Sequence, residues 1–161
     1  MVPNPYEADL GGRDALDAMS VTPGRIRAIV SKMPAAALER SYAPGKWTTR
    51  QLLIHLAQTE LGLTSRARMA LSEEGYVAQP FEQDRWMANE RDVDADTALA
   101  AYLALRQMNL QFFGGLSSAE RAVTFRHPEY GELTIDWVMR QMAGHDLHHL
   151  RQFEAIAGAA S

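Results

Sequence analysis

The sequence contains no cysteine. That excludes disulfides, Cys-ligated zinc, iron–sulfur clusters and a thiolate nucleophile supplied by the chain, so any metal site must be built from His, Asp and Glu. Positive charge is not in excess either. With 16 Lys and Arg against 20 Asp and Glu, the formal net charge is −4, and no nucleic-acid partner is expected, since such binding needs a basic face to displace phosphate counterions. No apolar run approaches the roughly 18 residues of a membrane span, and the opening Met1-Val-Pro-Asn-Pro5 has no basic-then-apolar signal pattern. Internal repeats and low-complexity segments are also missing. What is present is ordinary: 161 residues, 47% hydrophobic and 22% charged. That is the balance of one folded domain, expected to be soluble and cytoplasmic, over residues 1–161 with residues 1–10 as a polar tail.

Apolar positions recur at helical spacing almost throughout. A first helical region covers 11–33, with a break expected at Thr22-Pro23-Gly24, where Thr22 reads as an N-cap and Pro23 as the first helical residue. Pro34 ends it, and Ser41-Tyr-Ala-Pro-Gly-Lys46 reads as a turn. Thr48 followed by Gln51 is a capping-box spacing that opens a second helix, running to about Leu71. Residues 72–93 form a long polar connector, either functional or a crossover along a bundle. A third helix starts at Asp94 or Asp96, carries Leu99, Leu103, Leu110 and Phe113 on its stripe, and ends at Gly114-Gly115. A fourth opens at Thr134, with Asp136 in its first turn, and ends near Gly158. Residues 121–126 make at most a short extended piece. The expected fold is all-α, a four-helix bundle.

Three of the five histidines lie together in Gly144-His-Asp-Leu-His-His-Leu-Arg151 on the fourth helix. At about 100° per residue, His145 and His149 project within about 40° of each other and suit one ion. His145 and His148 are spaced for the same task. The apolar stripe of Ile135, Val138, Met142 and Ile156 favours His145 and His149, leaving His148 nearer solvent. A third ligand from another helix is supplied by His55, beside the stripe of Leu52, Leu56, Thr59 and Leu63. Three neutral imidazoles leave a coordination position open, as in catalytic zinc sites, and nickel, cobalt, manganese or iron fit the same set. The same histidines read equally well as hydrogen-bonded core residues. His127, in a Pro/Gly loop, reads as a surface residue. His145-Asp-Leu-His-His149 is one methylene short of the zincin H-E-x-x-H, but Asp146 turns away from His145 and either binds a neighbour or is solvated. Arg106 sits mid-stripe and needs a partner. A structural ion pair with Glu60 is the preferred reading, and an anchor for an anionic substrate the other. Gln152, one turn past His149, either supports it or is exposed. Trp47, Trp86 and Trp137 read as core or interface aromatics. With no Glu-x-x-His pair, a di-iron carboxylate bundle is not expected.

Taken together, Pro44-Gly-Lys-Trp-Thr-Thr-Arg-Gln-Leu-Leu-Ile-His55-Leu-Ala-Gln-Thr-Glu60, Glu82-Gln-Asp84-Arg-Trp86, His127-Pro-Glu-Tyr-Gly131-Glu-Leu-Thr134 and His145-Asp-Leu-His-His149-Leu-Arg-Gln152 resemble the DinB/YfiT-like metalloenzyme superfamily, in its DinB-2 form. The resemblance covers residues 13–157 in order. It implies a four-helix bundle, often homodimeric, with one divalent metal ion held by His55, His145 and His149. Zinc or nickel leads, and manganese, iron or cobalt follows. Asp146, Gln152, Arg106 and Glu60, singled out by their helix positions, are the candidates behind the ligands or at the substrate. The implied activity is that of a metal-dependent enzyme on a small molecule, either an S-transferase using a low-molecular-weight thiol or a hydrolase. The alternative is a non-catalytic metal- or ligand-binding dimer serving as sensor or scaffold.

Overall fold

The computed structural model describes residues 2–159. A one-turn helix α1 (Glu7–Leu10) precedes α2 (Ala15–Val30), α3 (Ala35–Leu38), α4 (Thr49–Ser72), α5 (Gln83–Asn89), α6 (Ala95–Gly114) and α7 (Ser118–Arg121). An antiparallel hairpin of β1 (Thr124–His127) and β2 (Gly131–Thr134) leads into α8 (Ile135–Gly158). The four-helix bundle is made by α2, α4, α6 and α8. Here α4 packs chiefly on α6 and α2 on α8, and α4–α8 and α2–α6 contacts close the square. Among the described residues, no helix is long and apolar enough to cross a membrane.

The helix starts follow from side-chain caps. Thr48 accepts from the Gln51 N–H while the Gln51 side chain takes the Thr48 N–H, and Asp94 and Thr134 cap α6 and α8 by accepting from Thr97 and Trp137. The expected break at Pro23 does not occur. Asp14 caps α2, which runs through Pro23 without interruption. Proline lacks the N–H that would bond the carbonyl four residues back; Arg106 Nη1 donates to that carbonyl, of Met19, at 3.2 Å. A partner on a neighbouring helix thus replaces the missing bond. The helix ends at Val30, before Pro34, which caps α3 instead. The long connector holds α5 and a segment that pairs with β1, since Ala78 N–H donates to the Arg126 carbonyl.

The apolar core is in two parts. One gathers Leu10, Met19, Leu63, Phe113, Phe125, Trp137 and Met142; the other gathers Ile26, Leu52, Leu56, Tyr102, Phe153 and Ile156. Between them, at the same level on three helices, lies a buried polar layer of His55, Thr59, Glu60, Arg106, Asn109, His145, Asp146 and His149. Buried polar groups are retained only when partnered, so this layer is where function is to be sought. It also corrects the stripe expected on α6. Leu99, Leu103 and Leu110 are only partly buried, and Tyr102, Arg106, Asn109 and Phe113 face inward.

Candidate metal centre

His55 comes from α4, and His145 and His149 lie one turn apart on α8; all three are buried. His145 Nε2 stands 2.8 Å from His55 Nε2 and 3.0 Å from His149 Nε2. A nitrogen from each ring lies within 4.8 Å of one from each of the others, a group that could hold one metal ion. Two nitrogens bound at about 2.0–2.1 Å to a tetrahedral ion stand about 3.3 Å apart, so the rings need to open by only a few tenths of an ångström to admit one.

Protonation suits the same purpose. Burial, and then the neighbouring imidazoles, push His55 and His145 well below the usual histidine value; burial brings His149 down to about 4 despite its bond to Gln152. Neutral imidazole is the ligating form. Gln152 Nε2 faces His148 Nε2 at 3.1 Å, so its oxygen faces His149 Nδ1, at 2.7 Å, and can only accept. The His149 proton is therefore on Nδ1, and the Nε2 lone pair points into the cluster. An N–H···N contact needs one proton and one lone pair, and His145 Nε2 can offer only one of these to its two neighbours. A cation among the three lets every Nε2 present a lone pair.

Aromatic rings fix the imidazoles. Trp47 packs on His55 at 4.6 Å between ring centroids, Phe81 lies parallel to it at 6.2 Å, and the Tyr6 ring meets His145 edge-on at 5.1 Å. Residues 1–10 are therefore more than a polar tail: within the described part, α1 docks on α8. Gly144 permits this, because a Cβ there would run into the Tyr6 carbonyl and lie 2.8 Å from the Tyr6 Cβ. A cavity of about 420 Å³ opens on His55 and His145, and Tyr6, Phe81 and His127 contribute to its wall.

The model of the DinB superfamily matches residues 18–153, most of the chain. The chain belongs to the DinB superfamily. It is 29% identical over 120 residues to a protein of Oceanobacillus iheyensis named "Putative metal-dependent hydrolase OB0782", covering 74% of this chain and 70% of that protein. It is 26% identical over 137 residues to a "Putative metal-dependent hydrolase" of Bacillus cereus, covering 83% and 78%. Among solved structures it is similar to YfiT from Bacillus subtilis, "a probable metal-dependent hydrolase with an unusual four-helix bundle topology". That match has a TM-score of 0.82 at 21% identity over 90% of this chain and 85% of that one, a likeness of fold.

In this DinB-superfamily bundle the remaining polar residues sort themselves by position. Glu60 and Arg106 do form the expected buried pair: Arg106 Nε donates to Glu60 Oε1 at 2.9 Å, and Asn109 Nδ2 to Glu60 Oε2 at 2.8 Å. Arg106 Nη1 also pairs with Asp146, which is fully buried rather than solvated. Burial outweighs Arg106 and holds the Asp146 carboxyl up at about 6. An Asp clamped from behind by an arginine is not placed as a zincin base. His148 is outside the cluster, its side chain 41% exposed beside Asp9. Trp137 is buried, but Trp86 is 42% exposed and no core residue. His127, expected at the surface, is 4% exposed and lines the cavity. The hairpin explains it: residues alternate across a strand, so Phe125 and His127 both point inward. Gly131, whose φ is +75°, closes that turn.

Proposed function

We propose that His55, His145 and His149 hold one divalent metal ion and that the chain is a metal-dependent hydrolase of a small molecule. The observation that carries this reading is three buried, neutral imidazoles meeting where a cavity of about 420 Å³ opens on two of them, His55 and His145. Among the described residues the group comprises these three alone, the ligand count of catalytic rather than structural sites. Zinc and nickel suit three imidazoles first, then cobalt, manganese and iron. When bound, such an ion supplies Lewis acidity, which polarises a carbonyl or phosphoryl oxygen and lowers the pKa of a water or thiol. The chain's own residues do the rest. Gln152 fixes the tautomer of His149, Trp47 and Phe81 hold the plane of His55, and Arg106 anchors the start of the His145-to-His149 turn through Asp146. The names of the relatives agree with this reading.

S-transfer from a small thiol is the second reading, favoured by one observation. A separate cavity of about 370 Å³ reaches His149 from the side of Lys46, Trp47 and Gln152, so two reactants have separate approaches. With no cysteine in the chain, the thiol comes from outside. A homodimer through a helical face, independent of which reaction holds, is supported by the exposed Leu61 on α4 and Met108 on α6; light scattering showing only single chains at micromolar concentration rules it out. The function is tested by assaying purified protein, chelated and reloaded with each ion, on ester, amide and phosphoester panels with and without small thiols. Metal-dependent hydrolysis without thiol supports the first reading, and turnover only with thiol and an electrophile the second. Tight metal binding with neither supports a non-catalytic sensor or scaffold.

A further inference from the structure

We propose that Arg66, with the Nε2–H of His127 and the hydroxyl of Thr59, forms an anion-binding subsite in the cavity of the histidine cluster, so that the substrate is a small molecule carrying a carboxylate or phosphate. The inference rests on reading that cluster as the reacting centre.

The register of α4 brings the groups together. His55, Thr59, Gly62 and Arg66 share one face, with His55 and Arg66 within about 20° of each other around the helix and about 16 Å apart along it. A helical side chain leans toward the N-terminus, so Arg66 reaches back toward His55. Gly62 leaves room between them for Phe81, whose ring a Cβ there would meet at 3.3 Å.

Arg66 is 6% exposed and lines the cavity. Its Nη2 donates to the Gln79 carbonyl at 2.8 Å, and among the described residues no carboxylate pairs with it. Arg106, deeper still, has two carboxylates. A buried cation with no contacting anion is costly. Burial pulls the Arg66 pKa down against a smaller opposing pull from Tyr76, Glu129 and Tyr130, though a guanidinium remains charged at neutral pH. Beside it, His127 Nδ1 accepts the backbone N–H of Glu129 at 3.2 Å and of Tyr130 at 3.4 Å. The His127 proton is therefore on Nε2, and burial together with Arg66 lowers its pKa against the opposing pull of Glu129 at the rim, so the ring is neutral at pH 7. Thr59 Oγ1 is buried with no protein partner, as is Gln141 Oε1 in the same wall. Three donors face one cavity: among the described residues the Thr59 hydroxyl and the His127 Nε2–H have no protein acceptor, and the Arg66 guanidinium has only the neutral Gln79 carbonyl. The carboxylates that line it, Glu82, Asp84 and Glu129, are all exposed at its rim.

The test is calorimetric titration of the protein, as purified and after chelation, with glutarate, neutral glutaramide and inorganic phosphate. Elemental analysis and thermal melts are run on the same samples. Glutarate or phosphate is expected to bind at least about tenfold tighter than glutaramide, with or without metal, the favoured one naming the anion. Arg66→Met is expected to abolish that preference while leaving metal content unchanged and the melting temperature equal or higher, since it removes an unpaired buried charge. Arg66→Lys keeps the charge without the planar fork and is expected to bind with intermediate affinity. Equal binding of glutarate and glutaramide, absence of anion binding at millimolar concentration, or an Arg66→Met protein that keeps the preference or melts lower overturns the proposal. If the protein takes up no metal yet binds anions through Arg66, the subsite stands and only the reacting centre falls.

Discussion

Replacing Arg106 by Met removes the side chain that joins all four long helices. Its guanidinium binds Glu60 on α4, Asp146 on α8 and the Met19 carbonyl on α2, which Pro23 leaves without a helical donor. The variant leaves two buried carboxylates without a counter-charge, Glu60 keeping only Asn109, and one buried carbonyl without a donor. Breaking a buried pair costs about 3–5 kcal/mol, and with two carboxylates involved the upper end is expected. For a chain of this length each kcal/mol moves the melting temperature by roughly 2–4 °C, so a fall of about 10–20 °C should be seen. Were Arg106 paired with Glu60 alone, as its sequence position suggests, Arg106→Met with Glu60→Leu would recover most of the loss. The structure corrects this: Asp146 stays stranded, so the double variant recovers only part, and adding Asp146→Leu recovers more, leaving the Met19 carbonyl still without its donor. A stranded carboxylate is more easily tolerated protonated. Its folded pKa lies above the unfolded value, so its destabilising effect grows as pH rises and shrinks as pH falls. The Arg106→Met deficit should therefore be smaller at pH 5 than at pH 8. Urea unfolding of the singles, doubles and triple at both pH values gives the coupling energies. A single-variant cost below about 1 kcal/mol, or coupling indistinguishable from zero, would refute the reasoning.

Gln152→Leu removes the acceptor that fixes His149, and metal affinity should weaken about 10–100-fold with the fold intact; unchanged affinity in a metal titration contradicts the role. Gly144→Ala puts a Cβ against the Tyr6 backbone, so the segment before α2 should undock, at about 1–3 kcal/mol, and become open to proteolysis near Tyr6; an unaltered digestion pattern contradicts the packing. Metal-free protein should lose stability as pH falls from 7 to 5. His149 titrates at about 4 when folded against 6.5 when free, so the unfolded chain takes up protons first. That costs about 2 kcal/mol at pH 5 from His149 alone. His55 and His145 act in the same direction, and Asp146, held at about 6, opposes them below that pH. A urea midpoint that stays level or rises toward pH 5 contradicts this balance.

The helices that carry the site were legible because their signals are local. Thr48, Asp94 and Thr134 cap where expected, and the spacing of His145 and His149 against the stripe of Met142 and Ile156 chose the pair that faces His55. What was not legible depends on partners from elsewhere in the chain. Pro23 reads as a helix start unless one knows that Arg106 takes the Met19 carbonyl. Leu103 and Leu110 look like the core of α6 because periodicity cannot distinguish an apolar layer from the polar layer that Tyr102, Arg106 and Asn109 complete. The docking of Tyr6 turns on Gly144, which looks like a weak point in a helix until its neighbour is seen. His127 was lost with its strand: four residues are too few for alternation to register, and only the hairpin turns its ring inward.

One metal ion on His55, His145 and His149 is tested most directly by bound metal per chain. Elemental analysis after saturation and desalting should give one ion per chain for the unaltered protein and for His148→Ala, and close to none for His55→Ala, His145→Ala and His149→Ala. Loss of the ion in His148→Ala, its retention in any of the other three variants while folded, or no metal on the unaltered protein would contradict the account.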